Sequence, residues 1–227
     1  MNNFWNERYA EKVFAYGIEP NQFYKEQLAN LSKGKILFAA EGEGRNAVYA
    51  AQQGFEVSAF DSSVEGKNKA EALAEEKNVA ISYTVSGLQD VDFPENYFDV
   101  IVLVYAHFPY EIRKKYHQKL VSYLKPNGSI IFEAFGKEQL NYTSGGPKQL
   151  DMLFSEDEIK SEFQNIDFTY LKSEETILDE GPYHQGKANV VRFIGQKNKP
   201  VFTFTYGQNY FWRNSTSFSS WIWMVIL

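Results

Sequence analysis

The sequence predicts a doubly wound α/β domain, a seven-stranded and mostly parallel sheet that ends in an antiparallel hairpin. Three observations carry this expectation. From Lys35 to Glu133, short apolar runs alternate with helical patterns, as they do in parallel sheets covered on both faces. The run Phe98-Asp99-Val100-Ile101-Val102-Leu103-Val104-Tyr105 is broken only by Asp99, which fits a strand buried on both sides. Near the end, Phe168–Leu178 and Ala188–Ile194 follow one another with no helical pattern between them, so they pair as a hairpin.

Each element has its local reason. Ile36-Leu37-Phe38-Ala39-Ala40 is the first strand, and its glycine-containing exit opens a small-residue helix over Asn46–Gln53. Phe55, Val57 and Ala59 alternate with polar residues, giving a second strand that closes at Phe60 and Asp61. Ser62 or Ser63 caps the following Ala-, Glu- and Lys-rich helix, Glu65–Lys77, and Ile81–Val85 is the third strand. After the long fourth strand, Ile112, Tyr116, Leu120 and Leu124 mark one helix face, with Pro126-Asn127-Gly128 as the stop. Ser129–Phe135 is the fifth strand, and Ser155 with Glu158 forms a capping box ahead of Ile159 and Phe163.

Composition excludes several classes. The chain has 227 residues, 29 acidic against 23 basic, for a net charge of −6; a duplex nucleic-acid binder carries a basic excess instead. Cysteine is absent and histidine occurs three times, which removes disulfides and thiolate chemistry and leaves no spacing for a metal site. The last seven residues, Trp221 to Leu227, are all apolar, but a membrane-spanning helix needs about 20. The amino terminus has no basic region leading into an apolar stretch, so the expected location is the cytoplasm.

Glu41-Gly42-Glu43-Gly44-Arg45-Asn46-Ala47 leaves the first strand and opens a helix. Glycines there let a ligand approach the backbone, and helix amides point at it. The spacing satisfies G-x-G-x-x-G/A, and Asp61 ends the second strand 20 residues after Glu41, where an acid accepts from ribose hydroxyls. Glu41 and Glu43 repel a pyrophosphate and suit a ligand carrying an ammonium and a sulfonium, such as S-adenosylmethionine. A nicotinamide-dependent oxidoreductase shares the loop and the acid, but its sheet continues strand, helix, strand rather than ending in a hairpin. A non-catalytic cofactor-binding protein of the same fold is the other alternative.

Ala39–Ala51, "AAEGEGRNAVYAA", resembles the cofactor loop of class I S-adenosylmethionine-dependent methyltransferases of the tellurite-resistance (TehB-like) group. The resemblance extends through "FWNERYAEKVFAYGIEPNQF", "FPENYFDVIVLVYAHFP", "YLKPNGSIIFEAF", "GGPKQLDMLFSEDEI" and "EGPYHQGKANVVRFI", so it covers roughly residues 4–196. It implies a Rossmann-like fold, S-adenosyl-L-methionine as cofactor and a small-molecule methyl acceptor. It also implies that Glu41, Gly42, Gly44 and Asn46 wrap the methionine part, that Asp61 holds the ribose with Ser62 adjacent, that Gly87 and Leu88 contact adenine, and that Tyr105 sits near the sulfonium. Gly87 departs from the pattern, since an adenine-reading Asp is common there.

The expected organisation is a helical lid segment over 1–30, a methyltransferase domain over 31–198, and an aromatic tail over 199–227 that lies outside the resemblance. His107, just after the fourth strand, is the candidate catalytic base, with a loop histidine bonded to backbone as the plain alternative. Tyr16 and His184 are candidate lid or substrate residues, Phe4 is expected to pack, and His117, among lysines, is expected on a solvated helix face.

Overall fold

The computed structural model describes residues 2–199; the expectations for the tail beyond them lie outside the described residues. The elements run α1 (Asn2–Tyr9), α2 (Gln22–Leu28), β1 (Lys35–Ala39), α3 (Arg45–Gln52), β2 (Glu56–Asp61), α4 (Val64–Glu76), β3 (Ser82–Val85) and β4 (Phe98–Val104). They continue with α5 (Tyr110–Tyr123), β5 (Leu124–Phe135), two 3-10 turns at Lys137–Asn141 and Leu150–Met152, α6 (Glu156–Glu162), β6 (Ile166–Asp179) and β7 (Gln185–Lys197).

The seven strands form one sheet in the order β3-β2-β1-β4-β5-β7-β6. All pairs up to β4·β5 are parallel, whereas β5·β7 and β6·β7 are antiparallel, so the sheet ends as the sequence predicts. Alternation along each parallel strand builds two cores. Phe38, Ala59, Val102 and Ile131 face α2, α3 and α4, packing on Tyr24, Ala47 and Ala70. Leu37, Ile101, Ile130 and Phe132 face α5 and α6, packing on Leu120, Ile159 and Phe163. Because β1 and β4 are neighbours whose following helices lie on opposite faces, the chain reverses direction across the sheet there, and the crevice beyond the strand ends at that point is where such folds hold ligands.

Two expectations about α5 are corrected. Its buried stripe is Arg113, His117, Leu120 and Val121 rather than Ile112 and Tyr116, and His117 is fully buried rather than solvated. The cause is a partner the local pattern does not reveal. Glu162 of α6 accepts from Arg113 Nε at 2.9 Å and lies 2.9 Å from His117 Nδ1, so charge enters the core already paired. Pro126-Asn127-Gly128 does not close the helix, which ends at Tyr123; those residues lie inside β5 at a register break, with Asn127 at φ 62°.

Candidate functional site

The glycine loop folds as a left-handed turn between β1 and α3. Gly42 and Gly44 have φ of +65° and +86°, a region in which only glycine is unstrained. A Cβ on Gly44 would stand 2.4 Å from the Ala70 Cβ, so the glycine also lets α3 and α4 touch. Glu41 accepts from the amides of Asn46 and Ala47 at 3.1 and 2.8 Å. Even so, burial raises its carboxyl to about 8. Asp61, at the end of β2, accepts from Gly42 N at 3.1 Å and Ser63 N at 2.9 Å, and burial raises its carboxyl too. The Ser86 amide donates to the Asp61 carbonyl at 2.8 Å, which brings Ser86–Leu88 beside the loop. The Leu88 side chain is buried in the core, so any contact it makes in the crevice is through its backbone.

Helix α1 lies across this turn. Trp5 and Tyr9 stack at 5.4 Å, and a Cβ on Gly42 would stand 2.6 Å from the Tyr9 hydroxyl. Asn6 Oδ1 accepts from Ser63 Oγ at 2.7 Å and Val64 N at 3.0 Å, so α1 is fastened to the start of α4. Phe4, expected to pack, is 53% exposed and lies beneath the Arg8 guanidinium; on so short a helix its position faces away from Tyr9.

A second group of predicted residues assembles above β4 and β5. The His184 ring contacts Tyr16 and Tyr105 at 4.4 Å each and Phe135 at 5.1 Å. Its Nδ1 lies 3.3 Å from Glu180, which fixes the proton of the neutral ring on Nδ1 and leaves Nε2 as the atom that takes up a proton. Burial lowers the His184 pKa. Tyr105, at φ 55°, donates its hydroxyl to Glu133 at 2.5 Å.

His107 sits apart from this group. Its Nδ1 is 2.8 Å from the Met152 carbonyl and its Nε2 accepts from Phe135 N at 3.4 Å. Burial pushes it down to about 4. Both ring nitrogens are bonded to backbone, so this geometry gives His107 a part in holding the 150–154 segment and offers no lone pair to an acceptor.

Five residues that the sequence reading did not single out for this role tie the two groups together. Asn21 caps α2 by accepting from Tyr24 N, and its Nδ2 donates to Glu133 and to Glu180, both at 2.9 Å. Its amide donates to Asn46 Oδ1 at 2.9 Å, so the Asn46 side chain is turned to the N-terminal segment. Arg45 pairs with Glu180 at 3.0 Å and donates to the Tyr16 carbonyl at 2.9 Å. Arg192 pairs with Glu133 at 2.5 Å and Glu174 at 3.0 Å. One signal did exist in the sequence: Glu133 and Arg192 interrupt otherwise apolar strand runs, and they sit opposite one another in the β5·β7 register. Beside this network opens a cavity of about 460 Å3, bounded by Tyr16–Gln22, Arg45, Glu133, Thr176–Gly181 and Arg192.

Residues 36–128 match the family model described as Methyltransferase domain. The fold is that of class I methyltransferases. The ubiquinone biosynthesis O-methyltransferase of Rickettsia conorii is 31% identical over 121 residues, 53% of this chain and 42% of that protein. The chain thus spans about half the length of the curated relatives it matches. Among solved structures, TehB from Haemophilus influenzae superposes with a TM-score of 0.66 at 16% identity, covering 87% of this chain and 67% of that one. Magnesium protoporphyrin IX methyltransferase from Synechocystis PCC 6803, solved with bound SAH, superposes with a TM-score of 0.60 at 16% identity over 78% and 82% of the two chains. Among the described residues, no helix is long and apolar enough to cross a membrane.

Proposed function

We propose that this chain transfers the methyl group of S-adenosyl-L-methionine to a small-molecule acceptor in the cytoplasm. The observation that carries this reading is the left-handed glycine turn bonded to the buried Asp61 and flanked by Glu41 and Glu43. Glu43 is already paired with Lys69 at 2.7 Å. Glu41, raised to about 8 by burial, gains instead from an approaching cation that ionises it, which favours a ligand with a sulfonium and an ammonium over a pyrophosphate. In this reading Asp61 and Ser62 hold the ribose, backbone at Gly87 and Leu88 meets the adenine, and Glu41, Gly42 and Gly44 flank the methionine end with Tyr105. Asn46 contributes by fixing Asn21 and Glu41. Residues 1–30 form the lid, through Tyr9 over Gly42 and Tyr16 over His184.

When bound, S-adenosylmethionine supplies an electrophilic methyl group: the acceptor's lone pair makes the new bond, and sulfur keeps the electrons of the broken one. The protein's part is alignment and exclusion of water, which the buried loop and the aromatic group around His184 provide. Where the acceptor must lose a proton, His184 Nε2 takes it, with Glu180 steadying the charged ring. Titration with S-adenosylmethionine and S-adenosylhomocysteine tests the reading. Failure of both to bind at millimolar concentration overturns it.

A further inference from the structure

We propose that the acceptor is an ammonium-bearing molecule with an apolar body, held in the cavity beside Asn21; this rests on the methyl-transfer reading above. The cavity adjoins both halves of the site, since Arg45 belongs to the glycine turn and Glu180 holds His184. Its charged lining consists of Glu19, Arg45, Glu133, Asp179, Glu180 and Arg192, four acids against two bases. Both arginines are already engaged by carboxylates. Arg45 is held by Glu180 and two backbone carbonyls, those of Tyr16 and Glu19. Arg192 is held between Glu133 and Glu174, and its guanidinium lies 5.1 Å from the centre of the Phe23 ring.

An oxyanion entering here would displace a carboxylate from its arginine and leave that carboxylate unpaired beside it. A cation meets two negative charges in excess. Two of those acids, Glu19 and Asp179, stand exposed at the mouth, where they also attract a cation from solution. Beside Gln22 and Thr176, part of the rim is apolar. Ile18 and Ile177 are 43% and 72% exposed, and Leu178 and the Tyr16 ring continue that wall inward. Apolar side chains left open at the mouth of a polar cavity fit a ligand whose body is hydrocarbon and whose head is charged.

Three probes of one shape and different charge test this: 2-phenylethylamine, 2-phenylethanol and phenylacetate, each titrated calorimetrically into the full chain near neutral pH with saturating S-adenosylhomocysteine. The amine is expected to bind about tenfold more tightly than the alcohol, and phenylacetate most weakly. The double variant E19Q/D179N, altered only at exposed positions, should lose most of the amine's advantage and leave the alcohol's affinity unchanged. Equal affinity for amine and alcohol overturns the proposal, as does tighter binding of phenylacetate, an absence of amine binding at millimolar concentration, or an amine preference that survives in the double variant. The S-adenosylhomocysteine titration is read separately. If that ligand fails to bind, the methyl-transfer reading falls whatever the ranking of the three probes.

Discussion

Replacing Asn21 tests the linkage that joins the N-terminal segment to the sheet. N21A removes the cap of α2, worth about 1 kcal/mol. It also removes one donor from each of two carboxylates, Glu133 and Glu180, both contacted at 2.9 Å. A buried acceptor deprived of its partner costs about 1–3 kcal/mol, and because Glu133 and Glu180 keep their arginines we expect the lower half of that range for each. The sum is a loss of about 3–5 kcal/mol, or roughly 10 °C in Tm for a domain of this size. N21D keeps the cap but sets a third carboxyl between the other two. That carboxyl has a folded-state pKa above its unfolded value, so its contribution is intact below the unfolded pKa, near 4, and is lost as pH rises through the folded one. Urea unfolding of the parent, N21A and N21D at several pH values separates these effects. The N21D deficit should shrink on acidification while that of N21A stays nearly constant. An N21A variant within about 1 kcal/mol of the parent, or an N21D deficit indifferent to pH, refutes the reasoning.

Four further outcomes follow from the same geometry. His184 and Arg45 hold the Glu180 carboxyl at about 2 against the force of burial; its contribution of about 3 kcal/mol is present above pH ~4.5 and lost as pH falls through about 2, so E180Q should flatten that limb of an acid-unfolding curve. Glu41, raised to about 8, is protonated at neutral pH, and a cationic ligand favours its ionised form. Binding of S-adenosylmethionine should therefore release a proton and tighten from about pH 6 to 8, and calorimetry in buffers of different ionisation enthalpy should show this for the parent but not for E41Q. E162Q removes the carboxylate shared by buried Arg113 and His117, leaving Arg113 only Glu158 at 3.6 Å, and should cost about 3 kcal/mol in thermal or urea unfolding. His107, at about 4, contributes no inflection near neutral pH, so H107N should keep the parent's pH–rate profile between about pH 6 and 8 and lower stability instead.

What was legible in the sequence was local. The glycine turn and the capping box at Ser155 are each written within a few residues, Asp61 follows Glu41 by 20 residues, and the hairpin follows from the absence of a helical pattern between two strand patterns. The charged network was not legible because its partners are remote in sequence: 112 residues separate Asn21 from Glu133, and 135 separate Arg45 from Glu180. His117 was misread for a related reason, and Arg113 was not singled out. Periodicity treats a charged residue as a solvent-facing one, and only α6 supplies the carboxylate that reverses this. His107 stands where a base would stand, at the carboxyl edge of β4, but position along the chain does not say which atoms of the ring remain for an acceptor.

The fastening of α1 sets a timetable for the site. Its Asn6 serves as a cap for α4, and its Tyr9 covers Gly42, so under the function proposed above a ligand that seats against Gly42 waits for α1 to lift. Lifting forfeits about 1 kcal/mol of capping and about 1.5–3 kcal/mol of tyrosine burial, which leaves the raised form at about 1% of the population or less. Association is slowed by that same fraction. Once a ligand is seated and the helix has closed again, however, departure faces the identical toll, so a latch that delays arrival also lengthens residence.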